Sequence, residues 1–162
     1  LMPDSIYTAK LRRAGVRIGT SRDMSLLRHV PVSSVDYAAL PPEPIYASDP
    51  LSKLITLHAH HNVPDFPVVD ADGKYMGMVT GADMRTALID REAIPLLLVA
   101  ELMREDFPVI KPDEHLDTVM EKFARNEISS LVLVDGFSGK KPIALVTRSK
   151  VMARYNAVLD EG

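Results

Sequence analysis

The sequence contains no cysteine. That excludes a disulfide framework and a thiolate metal site, and it fits a reducing compartment. Long hydrophobic runs are missing as well: the longest candidate, Ile94 to Ala100, carries Pro95 and is far from the roughly 18–20 residues that a membrane span needs. Asp4, Lys10, Arg12 and Arg13 break up any apolar region resembling a signal peptide. There is no excess of positive charge, the net charge being -3, so no global attraction to nucleic acid is available. No nucleophile elbow, Gly-x-Gly-x-x-Gly fingerprint or phosphate loop with its lysine is found. The acidic residues scatter over expected helix starts and turns, so no pair reads as general acid and base. Catalysis is not expected.

What is present is enough apolar material for a core, with 46% hydrophobic and 25% charged residues in a 162-residue chain. A basic leader comes first. Asp4 to Gly15 reads as a short helix with Lys10, Arg12 and Arg13, and a second short helix starts near Ser21 with Met24, Leu26 and Leu27. The cluster Pro41, Pro42 and Pro44 marks a boundary.

Beyond the boundary the chain repeats itself. Leu51, Leu54, Ile55, His58 and Ala59 match Leu116, Val119, Met120, Phe123 and Ala124 at a constant shift of 65, and the second set has the rhythm of an amphipathic helix. Asp49-Pro50 and Asp113 are the expected caps of these helices. The same shift carries Phe66-Pro67-Val68-Val69-Asp70 onto Leu131-Val132-Leu133-Val134-Asp135, both apolar runs of buried-strand type. After a turn the shift becomes 67, and Met78-Val79-Thr80 matches Leu145-Val146-Thr147. Upstream, Pro44-Ile45-Tyr46 is matched to Pro108-Val109-Ile110 as a short leading strand. Leu96 to Val99 is expected to add an edge strand or to pack the repeats together. Each unit is strand, helix, strand, turn, strand, helix. The expected fold is therefore α+β, with two small repeats sharing a core as a pseudo-twofold pair and leaving two equivalent clefts.

Gly77-Met78-Val79-Thr80-Gly81-Ala82-Asp83 is the most informative stretch. It reads as the end of a buried strand entering the first turn of a helix, whose free N–H groups suit phosphate. A carboxylate so close would repel phosphate but could accept hydrogen bonds from a ribose diol. In the second copy Lys150 stands where Asp83 stands in the first. His58, His60 and His61 raise the thought of a metal, but His58 falls on a core slot opposite Phe123, so packing is expected and no metal site.

The repeated unit resembles the CBS domain, and Gly77 to Asp83 resembles its adenosine-binding signature. The likeness runs from about Val30 to Val158. It implies repeats over 30–92 and 93–162, after a linker over 1–29. It further implies that Thr80 and Asp83 hold phosphate and ribose, with adenine between Val109, Ile110 and Lys111 on one side and Ile128, Ser129 and Ser130 on the other. The mirror cleft would use Thr147, Ser149 and Lys150 against Ile45, Tyr46, Ala47, Val63, Pro64, Asp65 and Phe66. The ligand would be ATP, ADP or AMP, with no cofactor required.

The leader Ser5 to Gly15 is similar to the segment joining the last membrane helix to the CBS pair in ClC-family chloride channels and chloride/proton antiporters. That likeness implies a homodimeric regulatory module on the cytoplasmic face of the cell membrane, attached to its own transport domain. The alternatives are a structural dimerisation domain with vestigial clefts and the CBS pair of a soluble enzyme.

Overall fold

A computed structural model describes residues 21–137 and 139–161. The expected helix over Asp4 to Gly15 lies outside them. Helix α1 (Ser21–Leu27) leads through a 3-10 turn (Val32–Ser34) to the first repeat: α2 (Leu51–His60), β1 (Asp65–Val69), β2 (Tyr75–Thr80) and α3 (Gly81–Ala87). A second 3-10 turn (Ile94–Leu96) and a short α4 (Val99–Leu102) connect to the second repeat: α5 (Leu116–Ala124), β3 (Ser130–Asp135), β4 (Lys141–Thr147) and α6 (Arg148–Glu161). The fold is α+β, as the repeat requires.

In each repeat the two main strands form an antiparallel hairpin, Phe66 facing Val79 in one and Leu131 facing Val146 in the other. Every residue of β1 and all but the last of β3 are buried, which is why these strands read as unbroken apolar runs rather than alternating ones. Phe66, Leu54 and Met84 belong to the same buried cluster as Leu131, Met120 and Val151, so the repeats share one core.

Each hairpin is completed by the segment leading into the other repeat. Arg104 pairs with Met78 of β2, the two main chains exchanging N–H···O bonds of 2.8 and 2.9 Å. Ala38 pairs in the same way with Leu145 of β4. Further up, Val32 and Leu116 exchange bonds with Glu114 and Val30, while Leu51 and Val99 do so with Leu97 and Asp49. Neighbours in sequence are thus exchanged in space: residues 30–38 serve the second sheet, and residues 97–104 the first. Gly77 is the concession to this packing. A Cβ there would meet Met103 Cγ at 2.5 Å and the Arg104 carbonyl at 2.9 Å.

The structure corrects three local expectations. Val69 donates to the Ile45 carbonyl and Val134 to that of Ile110, so Ile45 corresponds to Ile110, one residue from the expected match, and the shift is 65 throughout this region. The expected caps are replaced. Asp49 turns back to accept from the Tyr46 N–H and Lys53, and Glu114 does the same for the Lys111 N–H and Lys122. The expected leading strands are single bridges, Tyr46 with Val69 and Ile110 with Leu133; the lysines also bond the Pro44 and Val109 carbonyls, so each leading segment is clipped to its helix by a carboxylate and an ammonium. Leu96 to Val99 forms no strand, only a single bridge of Leu98 with Pro50 between the 3-10 turn and α4, while Val99 enters the core that the repeats share, the other expected alternative.

Candidate functional site

Strand β2 ends at Thr80, whose Oγ1 accepts from the Asp83 N–H at 3.0 Å and caps α3. That bond fixes the first turn and holds the Asp83 carboxylate towards a cavity of about 550 Å³. The second repeat reaches the same cavity with Ile128 and Ser129. Of the residues expected in the first cleft, Thr80, Asp83, Ile128 and Ser129 are brought together.

Ser130 lies just behind this wall. Its hydroxyl and that of Ser129 both donate to Asp65 Oδ2, while Asp65 Oδ1 accepts from the Gly81 N–H at 2.8 Å. Asp65 and Ser130 are equivalent positions of the repeat, so their contact marks the pseudo-twofold axis. The contact also answers the phosphate expectation at α3. Its first N–H is already taken by a buried carboxylate, so positive charge for an anion must come from elsewhere. Gly81 is required by this junction, since a Cβ would collide with the Pro64 carbonyl oxygen.

The charge comes from two arginines that the sequence reading did not single out. Arg104 donates from Nε and a terminal nitrogen to the two oxygens of Asp83, at 2.7 and 2.9 Å. Asp83 in turn raises the pKa of the Arg104 guanidinium. Arg85 is exposed on the same cavity wall. His58 lines the cavity too: it is exposed rather than in the core slot that its counterpart Phe123 fills, and its ring meets the edge of Phe66 with centroids 6.3 Å apart. His60 and His61 are exposed, and no metal-ligating cluster occurs among the described residues.

The remaining expected walls lie elsewhere. Ile110 is completely buried against β3, Val109 has its carbonyl held by Lys122, and Lys111 is tied through its N–H to Glu114. None of the three lines the cavity, because the exchanged leading segment that borders it ends at Arg104, several residues earlier.

The mirror cavity is larger, about 1000 Å³, and lies between α5 and α6. Thr147, Ser149 and Pro64 line it together with Phe123, Ile128 and Met152. Lys150 is exposed, gives its N–H to Thr147 Oγ1 at 3.3 Å and is not on the wall. Ile45 and Phe66 are core residues, and Tyr46 and Ala47 border a separate depression beside Val69. Val63 and Asp65 face the first cavity rather than this one. Arg148 occupies the position of Gly81. It bonds the carbonyls of Phe123, Asn126 and Ile128 and stacks over the Phe123 ring at 5.3 Å, closing the C-terminal end of α5. Burial pulls its pKa below the ordinary arginine value.

This paired geometry agrees with comparison to known proteins. The CBS domain model matches residues 27–90 and 99–157. The chain belongs to the CBS domain family, as a tandem pair. A curated relative, the L-aspartate semialdehyde sulfurtransferase of Methanocaldococcus jannaschii, is 25% identical over 72% of this chain but only 22% of its own length. The chain thus spans about a fifth of the curated relatives it matches. Among solved structures, a CBS pair in complex with 5′-methylthioadenosine and S-adenosyl-L-methionine superposes with a TM-score of 0.61 at 22% identity, covering 77% of this chain and 98% of that one. The CBS domain of a bacterial CNNM/CorC family Mg2+ transporter in complex with ATP gives 0.66 at 18% identity, covering 83% and 93%. At these identities the likeness shows the fold.

Proposed function

We propose that this CBS pair is a regulatory module that binds an adenine nucleotide (ATP, ADP or AMP) in the cavity lined by Thr80 and Asp83. The observation that carries this is the convergence of Asp83, Arg85 and Arg104 with Ser129 and Ile128, from both halves of the pair, on one cavity. Asp83 supplies the acceptor for a ribose diol and the arginines supply charge for phosphate, while Val63 and Ile128 offer apolar cover to a base. The adenosine-containing ligands of related CBS pairs support the ligand class. A ligand that touches both repeats favours the arrangement it fits, and any regulatory effect equals its differential affinity for the two states of the module.

Thermal unfolding with ATP, ADP, AMP and adenosine, on the wild type and on Asp83→Ala, tests the reading. A ligand at a hundred times its dissociation constant adds about 2.7 kcal/mol, and the variant should lose that stabilisation. No stabilisation of the wild type by any of the four at millimolar concentration contradicts it and leaves a structural dimerisation role.

For the attached domain, we infer a ClC-type chloride transporter, with the module as a homodimer on the cytoplasmic face of the cell membrane. The leader Ser5 to Gly15 and its basic residues support this reading. The curated relatives carry the names of enzymes, which supports the alternative of an enzyme partner. Sequencing the gene upstream of Leu1 separates them: apolar spans support the transporter, and a catalytic domain contradicts it.

A further inference from the structure

We infer that Arg104 is the specificity-determining residue of the first cavity, making it a reader of the nucleotide's phosphate rather than of the nucleoside. The inference rests on the nucleotide reading proposed above. It starts from an occupancy conflict. Both oxygens of Asp83 already accept from the Arg104 fork, at 2.7 and 2.9 Å. A ribose diol binding side-on would compete for the same bidentate edge of the carboxylate, so the guanidinium must withdraw before the sugar can dock there.

What the ligand gives back decides the outcome. A nucleoside takes Asp83 and leaves Arg104 with the Phe107 ring, the field of Asp106 and water, but with no anion in its fork. A 5′-phosphate offers the displaced guanidinium a second anion that fits its fork, and it offers Arg85, on the same wall, a partner as well. The exchange needs only side-chain motion. The Arg104 main chain stays paired with Met78 in both directions, while its side chain is half exposed and can swing.

The mirror cavity lacks the device. Ala38 pairs with Leu145 as Arg104 pairs with Met78, and Lys150 replaces Asp83. Nothing in the shared backbone plan therefore demands an ion pair at this place.

Binding of AMP and adenosine to the 162-residue chain, measured by titration calorimetry on wild type, Arg104→Ala and Arg104→Lys, tests the inference. Wild type should prefer AMP by about tenfold or more, the low end for a charge-assisted contact at a half-exposed site. In Arg104→Ala adenosine should bind more tightly, because its competitor is gone, and AMP more weakly, so that the ratio falls towards one. Arg104→Lys keeps the charge without the fork and should give an intermediate ratio. Melting curves of both variants confirm folding. If Arg104→Ala changes both affinities by the same factor, or wild type binds the two ligands equally, Arg104 merely pins the segment and the inference is wrong while the nucleotide site stands. If wild type binds neither ligand, the site and the inference fall together.

Discussion

Beside Asp65 and Glu127, the first cavity is bordered by an imidazole, a carboxylate and two guanidiniums, from His58, Asp83, Arg85 and Arg104. The equivalent positions of the second half hold Phe123, Lys150, Met152 and Ala38, and of these Phe123 and Met152 line its cavity. The backbone plan is the same: a threonine at a strand end accepts the N–H three residues on, at 3.0 Å in one half and 3.3 Å in the other. The difference lies wholly in what the plan presents. A repeat supplies two frames, and only the side chains decide whether a frame reads charge or packs apolar surface. The first half turns His58, Asp83 and Arg85 to its cavity, whereas the second has Thr147 and Ser149 there and holds Arg148, on the same wall, to the end of α5.

The largest effect is expected where the halves meet. Asp65→Ala leaves two hydroxyls and the Gly81 N–H without their buried acceptor, and it should destabilise the chain by about 3 kcal/mol in urea unfolding. A loss below about 1 kcal/mol would mean that the axis contact is incidental.

Arg148→Ala comes next. It removes bonds to three carbonyls and the stacking on Phe123, and about 2 kcal/mol should be lost by the same measurement. Arg104→Ala removes only a solvent-screened pair and should cost well under 1 kcal/mol, so the two arginines separate a structural role from the proposed reading role.

The smallest effect concerns pH. Tyr75 of β2 has Pro142 as its counterpart, so only the first sheet carries a titrating phenol here. Burial, with help from Asp106, pushes its hydroxyl up from 10.0 to about 12. The folded chain therefore holds a proton that the unfolded chain releases. Stability from this source is intact below pH 10 and is lost as pH rises towards 12. Tyr75→Phe should flatten that part of a melting-temperature profile. An unchanged slope would place the alkaline sensitivity elsewhere.

Much of this was legible in the residues. The shift of 65 links Leu51, Leu54 and His58 to Leu116, Val119 and Phe123, and with the shift of 67 beyond the turn it revealed both helices and both hairpins, because apolar periodicity is a local property of the chain. Thr80 and Asp83 stood out for the same reason. Arg104 did not: it reaches Asp83 by exchange of leading segments, and exchange leaves no periodic mark. The bond from Asp65 to Ser130 could have been found, since a pseudo-twofold axis must bring some pair of equivalent residues together and these two begin matched strands. That Val109, Ile110 and Lys111 lie off this cavity has the same cause as the missed arginine, for both depend on which neighbour a leading segment joins.

The central claim is that one half reads the ligand and the other does not. Equilibrium dialysis with labelled AMP counts sites directly. The account predicts one site per chain in wild type, one in Lys150→Ala and none measurable in Asp83→Ala. Two sites in wild type, or a site that survives Asp83→Ala, would contradict it.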